Sequence, residues 1–488
     1  MLFGLPPMGN QLSIPKINQI DDHYDVVIVG AGIVGAGIFR DLSLHGLKCL
    51  LIDKKDFGSQ TSQSSSKMLH GGIRYLENFD FGLIWEALHE KNLWLKLAPH
   101  LCYEDAFYLP VFKESAKPLW MLKIGLFIYD LLSGFQNTAH RLLGKKATKL
   151  EIPSIKEDGL KGAGIYYDAI MDDVKLTLEV IYDGLQEAHA QALNYVELER
   201  FTNKDTINDL QLKDCITGTR RTITCLQTVM ALGPFADNFL MSQPNIPWSP
   251  KLYPSKGSHL WINKSVIDIK HPMVLNTIDG RVIFVIPRNN AILVGTTELE
   301  TKEDFFDMSP SKFEIQYLLD SLNEYFPNKN INHTHILSNF SGIRPLVQDE
   351  NSRGESLKRT SRVHHNYQPF SNLHIILGGK YTTFRVMGQE ISRTIVQSFN
   401  KVFNSSLTKR PLRQRSIVLP FDNLKKDLTS MDLENIIQKE HVRTLEDLKI
   451  RRLGLRNSGH WNFSSSFEEL YSNVSEEIKS NLIEAEFK

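Results

Sequence analysis

Gly30, Gly32 and Gly35 stand at the spacing that lets a backbone turn close around an anion. In Gly30-Ala31-Gly32-Ile33-Val34-Gly35 the first glycine permits a tight turn and the second lets the chain approach a pyrophosphate. The third lets a helix pack closely on a strand. A helix starting there offers N–H groups without intrahelical partners and a partial positive charge, so the chemistry implied is dinucleotide binding. Asp53 closes the next apolar run, where a carboxylate can accept hydrogen bonds from ribose hydroxyls. These residues do not by themselves separate FAD from NAD. Directly after this unit the run Ser59 to Ser66 concentrates hydroxyls. By composition alone it reads as a solvated loop, but its position would let it line the pyrophosphate.

Such residues need elements to hold them. Asp25 to Val29 and Leu47 to Ile52 read as buried strands with a helical stretch between, a βαβ unit. Further buried strands are expected at Thr228 to Ala231, Val282 to Pro287, Ala291 to Gly295 and His374 to Leu377. Helices are expected at Phe81 to Leu97 and Val174 to Ala190. Beyond about Gln397 the sequence turns charged and helix-favouring, and Thr444-Leu445-Glu446-Asp447 forms a capping box leading into Leu448 to Arg452.

A longer pattern narrows the reading. Thr61-Ser62-Gln63-Ser64-Ser65-Ser66-Lys67-Met68-Leu69-His70-Gly71-Gly72-Ile73-Arg74-Tyr75-Leu76-Glu77 closely resembles the TSxxSSKxxHGGxRYLE signature of FAD-linked, aerobic respiratory glycerol-3-phosphate dehydrogenases. Lys256-Gly257-Ser258-His259, Phe284 to Pro287, Gly295-Thr296-Thr297, Ser341 to Leu346 and Gly378 to Arg385 resemble further family motifs in family order. The similarity covers roughly residues 24 to 455. It implies an α/β fold, with a Rossmann-like FAD-binding domain of the glutathione-reductase and D-amino-acid-oxidase type, an interleaved β-rich substrate domain and a helical C-terminal domain. The oxidoreductase region would span 22–396, with FAD-binding parts at about 22–110, 150–250 and 335–396 and substrate-binding parts at about 110–150 and 250–335. A helical cap would follow at 397–488.

The resemblance also implies a site. Cofactor contacts are expected from Gly30, Gly32, Gly35, Asp53, Thr61, Ser62, Ser66, Lys67, Leu69, His70, Gly233, Gly379, Lys380 and Thr382. A cation at Lys380 would stabilise negative charge on a reduced flavin. The implied reaction oxidises sn-glycerol 3-phosphate to dihydroxyacetone phosphate by hydride transfer from C2 to flavin N5. The phosphate dianion suits the planar fork of arginine, and Arg74, Tyr75, Arg344, Arg359 and Lys380 are the expected substrate contacts. The hydroxyl proton needs an acceptor, for which His70 leads and His259 is second, while Arg344 can stabilise a developing alkoxide. Leu232, Phe235, Arg288 and Glu298 depart from the common family forms. Rival readings on the same fold are a soluble oxidase that reduces oxygen and an amine or amino-acid oxidase. A rival of another class is a partner-binding protein with a structural flavin.

Bulk properties constrain the partners. Lys plus Arg and Asp plus Glu both total 56 among 488 residues, so net charge offers no reason to propose nucleic acid. The cysteines, Cys49, Cys102, Cys215 and Cys225, form no metal-site spacing and read as free thiols of a reducing compartment. No metal is expected. Met1 to Asp22 lack the pattern of a secretion signal, so a cytoplasmic enzyme is expected, with peripheral attachment to the inner face of the cell membrane also open. Lys113 to Lys149 interleaves Lys117, Lys123, Arg141, Lys145 and Lys146 with Trp120, Phe127 and Tyr129, a mixture suited to an anionic membrane surface and delivery of electrons to a quinone. The competing reading makes Leu119 to Leu132 a core helix with solvated ends. A homodimer is left open.

Overall fold

The computed structural model describes residues 15–301, 306, 308–348, 364–413, 416–417, 428–455, 464–480 and 482. The uninterrupted apolar run Val26-Val27-Ile28-Val29 demands burial on both faces, and the sheet around it supplies that. Strand His23–Val29 lies between Cys49–Ile52 and Arg220–Met230, parallel to both. Ala190–Leu193 extends the sheet in parallel beyond Cys49–Ile52, and Leu373–Leu377 does so beyond Arg220–Met230. Val26 and Ile28 pack with Ile38, Phe39 and Leu42 of helix Ile33–Leu44. Val27 and Val29 face the other side, with Leu198, Phe201 and Leu210 of an antiparallel hairpin.

A second, mixed sheet is built around two long antiparallel pairs, Cys102–Phe112 with Leu160–Met171 and Leu252–Asn263 with Ile336–Val347. Helix Lys312–Tyr325 covers one face through Leu318, Leu319 and Leu322. Past residue 428, helices Ser430–Lys439, Ser464–Ser472 and Glu476–Lys479 gather around a separate core of Leu433, Ile436, Leu448 and Phe467. The expected capping box is present there. Asp447 Oδ2 accepts from the Thr444 N–H (2.9 Å) and Thr444 Oγ1 accepts from the Asp447 N–H (3.1 Å). The turn it opens, Asp447–Arg452, is a π-helix.

Two expectations need correction. The helix expected from Val174 to Ala190 runs Asp173–Gly184, because the open edge of Cys49–Ile52 recruits Ala190–Leu193 as a strand. Leu119–Leu132 is a helix of 14 residues but not a core helix. Leu126 and Tyr129 are buried, whereas Trp120, Met121, Ile124, Phe127 and Leu131 are exposed. Among the described residues no helix is long and apolar enough to cross a membrane.

Candidate active site

The glycine turn is shaped by what a side chain would strike. Gly30 has φ +103° and a Cβ there would meet the Ala231 carbonyl oxygen at 2.4 Å. A Cβ on Gly35 would lie 1.9 Å from the Gly30 carbonyl oxygen. Gly32 caps helix Ile33–Leu44, and the Ile33 N–H donates to Ser62 Oγ at 2.9 Å, so the hydroxyl-rich loop reaches the helix start. Asp53 accepts from the Ala31 N–H (2.7 Å) and the Lys55 N–H (2.9 Å), which leaves lone pairs for another donor. Burial pushes its carboxyl up to about 6, against the pull of those two N–H groups.

A single cavity of about 1920 Å³ joins this turn to the substrate-directed motifs. Gly30, Gly32, Asp53, Thr61, Ser62, Ser66 and Gly233 line it, as do His70, Arg74, Tyr75, His259, Arg344, Gly379, Lys380 and Thr382. That volume exceeds the roughly 300–1,000 Å³ of common ligand sites and accommodates a dinucleotide beside a small substrate. Backbone bared by glycine, a helix start and a facing carboxylate fit a pyrophosphate and ribose.

Three expected cofactor residues stand off the cavity. Lys67 is fully buried, with its ammonium bonded to Asp173 Oδ1 (2.6 Å) and the Gln63 carbonyl (2.9 Å), so it braces the loop from beneath. Leu69 is buried opposite Ala169 in the second sheet. Gly35 serves the packing of helix on turn. Arg359 lies outside the described residues.

The remaining motifs converge. Gly72 has φ +77° and a Cβ there would strike the Tyr75 ring at 2.4 Å, while Lys380 Nζ sits 4.1 Å from the centre of that ring. Arg344 donates to Thr296 Oγ1 (3.0 Å) and lies 3.8 Å from Glu298. It fits because Gly257 has no side chain, since a Cβ there would be 2.8 Å from Arg344 Nη2. His259 is buried, stacked on Phe340 and joined by Nε2 to Ser66 Oγ (2.9 Å). Burial, followed by the charges of Arg344 and Lys67, pushes it well below its usual pKa and keeps the ring neutral. Glu314, at a helix start, accepts from Ser258 Oγ (2.6 Å) and Thr297 Oγ1 (2.8 Å) and pairs with Lys256 (3.1 Å), tying the strand of one motif to the loop of another.

Sequence reasoning missed Asp168, a buried carboxyl on this cavity, and Tyr129, which holds it. The available signal was a carboxylate inside the otherwise uncharged run Ile165 to Met171. It gave no role to Thr296 or Phe284, though both stand in the motifs named above, and it missed the rest of the apolar arm, Leu109, Val111, Leu122, Ile128 and Val282. Of the departures, Phe235 stacks on Phe306 at 4.2 Å, and Arg288 is buried and donates to the Met171 carbonyl.

This arrangement defines a flavin-dependent oxidoreductase, and the model of the DAO family, FAD dependent oxidoreductase, matches residues 25–391. FAD is its cofactor. The chain is 34% identical over 404 residues to the aerobic glycerol-3-phosphate dehydrogenase of Staphylococcus aureus strain USA300, spanning 81% of this chain and 71% of that protein. It belongs to that family. The fold is shared with glycerol-3-phosphate dehydrogenase from Bacillus halodurans complexed with FAD, at TM-score 0.72 and 23% identity, over 94% of this chain and 93% of that one. It is also shared with glycine oxidase from Geobacillus kaustophilus, at TM-score 0.59 and 20% identity, over 80% and 99% of the two chains. The fold therefore does not choose between alcohol and amine chemistry.

Proposed function

We propose that this chain oxidises sn-glycerol 3-phosphate to dihydroxyacetone phosphate. The observation that carries the reading is the convergence of Arg74, Arg344 and Lys380 with His70 and His259 on the cavity that starts at the Gly30–Gly32 turn. Three cations suit a phosphomonoester dianion better than the single carboxylate of an amino acid. The 34% identical relative is named for the same substrate. The residues of the glycine turn would hold FAD, which when bound would supply the acceptor for the C2 hydride. Arg344, fixed by Thr296, holds the substrate and stabilises negative charge as the hydroxyl proton leaves. His70 takes that proton, and neutral His259, anchored by Ser66, stands on the same cavity as the second candidate acceptor. Gly30, Gly32, Asp53 and Ser62 would hold the pyrophosphate and ribose, and Gly379 and Lys380 would stabilise negative charge on the reduced flavin.

Rapid-mixing reduction of the bound flavin tests these roles. Arg344→Lys keeps a charge but loses the fork, and is expected to slow reduction by glycerol 3-phosphate about 100-fold or more, a loss of about 2.7 kcal/mol. An unchanged rate and substrate affinity would remove Arg344 from the site.

For the electron acceptor we infer a quinone rather than oxygen. Trp120, Ile124, Phe127 and Leu131 form an exposed stripe at helical spacing, with Lys123 beside it, and Phe79, Phe81 and Trp85 are also exposed nearby. Met121, Ile124, Phe79 and Phe81 also line the cavity, so its apolar arm reaches the stripe. An apolar acceptor dissolved in a bilayer fits that route.

A further inference from the structure

The turn His70-Gly71-Gly72 is pinned by two successive backbone N–H groups. His70 donates to Thr382 Oγ1 at 3.4 Å and Gly71 to Asp168 Oδ1 at 3.3 Å. A side chain on Gly71 would meet both Leu88 and the Tyr129 hydroxyl at 2.5 Å, so the turn rests directly on the Asp168–Tyr129 pair. Asp168 is 1% exposed, sits on strand Leu160–Met171 and lines the cavity. The Tyr129 hydroxyl donates to its carboxyl, at 3.0 Å from Oδ1 and 2.9 Å from Oδ2.

We propose that Asp168 is a positioning residue that locks the His70–Gly72 turn over the cavity, and that the lock is firm only while Asp168 is ionised. A charge-assisted hydrogen bond is roughly twice as strong as a neutral one, so the ionised carboxylate grips the Gly71 N–H and the neutral acid releases it. Burial pushes the Asp168 carboxyl up to about 7, opposed by Lys91, Tyr129 and the Gly71 N–H and reinforced by Glu104. The groups around it come from several elements: Lys91 from helix Phe81–Leu97, Tyr129 from helix Leu119–Leu132, and Glu104 from the neighbouring strand. Asp105 stands directly across in that strand, with its carboxylate engaged by His271 at 2.7 Å, and Tyr166 shares the Asp168 strand with Arg74 acting on it. The lock therefore changes state near neutral pH.

The inference rests on His70 as the proton acceptor proposed above. Its test is the pH profile of flavin reduction by glycerol 3-phosphate in the FAD-loaded enzyme, read with substrate affinity and hydrogen exchange of the segment around Gly71. In the parent enzyme the rate climbs as pH rises through the neutral range, and the protection factor of the segment, corrected for base-catalysed intrinsic exchange at each pH, rises in parallel. Asp168→Asn keeps an acceptor oxygen without the charge, so the protection factor no longer changes with pH and the rate keeps only the climb that His70 itself gives, while substrate affinity holds within about twofold. Lys91→Met does not touch the turn but removes a cation that favours ionised Asp168, so the rise in protection moves to higher pH by roughly half a unit or more. A protection factor that still rises with pH in Asp168→Asn, or a rise that stays in place in Lys91→Met, overturns the proposal. If Asp168→Asn does not fold, Lys91→Met decides. Failure of the parent enzyme to be reduced by glycerol 3-phosphate would instead strike the functional reading, and the exchange profile would still judge the lock.

Discussion

At the scale of single residues, the site works by burying groups whose charge is then set by their surroundings. Arg344 is aimed by Thr296 and given room by Gly257, and His259 is kept neutral by burial and by the cation beside it. Asp168 shows the cost of such burial. Its folded carboxyl titrates at about 7, above the ordinary value near 4, so between those values the native state holds a proton that the unfolded chain has released. Stability from this group is therefore full at acid pH and is lost as pH rises through 7. Asp168→Asn should escape that loss. Relative to the parent, it is expected to gain on the order of 2–3 kcal/mol between pH 5 and pH 8, measured by denaturant unfolding at saturating FAD. An equal pH dependence in both proteins would show that Asp168 is not buried with a raised pKa.

At the scale of elements, what was legible in the sequence was local. The glycine turn, the strand Val26 to Val29 and helix Phe81–Leu97 follow from spacing and apolar runs within a few residues. Contacts set by the register of distant strands were not legible. Asp168 meets a backbone N–H 97 residues earlier in the chain, and Glu314 ties the strand of Ser258 to the loop of Thr297. The sequence around Leu119–Leu132 was ambiguous because core and surface helices share one periodicity, and only the packing of Leu126 and Tyr129 fixes which face is inward. The outward face carries a prediction. Replacing Trp120 and Phe127 by Ser removes two large exposed apolar side chains that do not line the cavity, without disturbing Leu126 or Tyr129. It is expected to cut co-sedimentation with anionic liposomes at low salt by about tenfold and to leave reduction by glycerol 3-phosphate unchanged. Undiminished binding would mean that this face does not meet the membrane.

At the scale of the whole molecule, the parallel sheet presents the glycine turn, the second sheet brings Arg344 and His259, and the C-terminal helices are fastened to the cofactor side. The fastening is a buried ion cluster, in which Arg451 and Arg452 converge on Asp56 at 2.5 and 2.6 Å while Asp447 takes the far side of Arg451. Asp56 stays ionised despite full burial because the two guanidinium groups outweigh desolvation. Asp56→Asn leaves two buried cations short of a counter-charge and is expected to destabilise the protein by about 3–5 kcal/mol, seen as a lower or split thermal transition. An unshifted single transition would show that the cluster does not bind the helical unit to the rest. The central claim, that one cavity seats FAD beside a phosphorylated alcohol, is tested most directly by an anaerobic absorption spectrum. Glycerol 3-phosphate added to the purified holoenzyme should bleach the oxidised flavin band while glycerol and glycine leave it intact. A band that survives saturating glycerol 3-phosphate, or that glycine bleaches instead, would contradict the account.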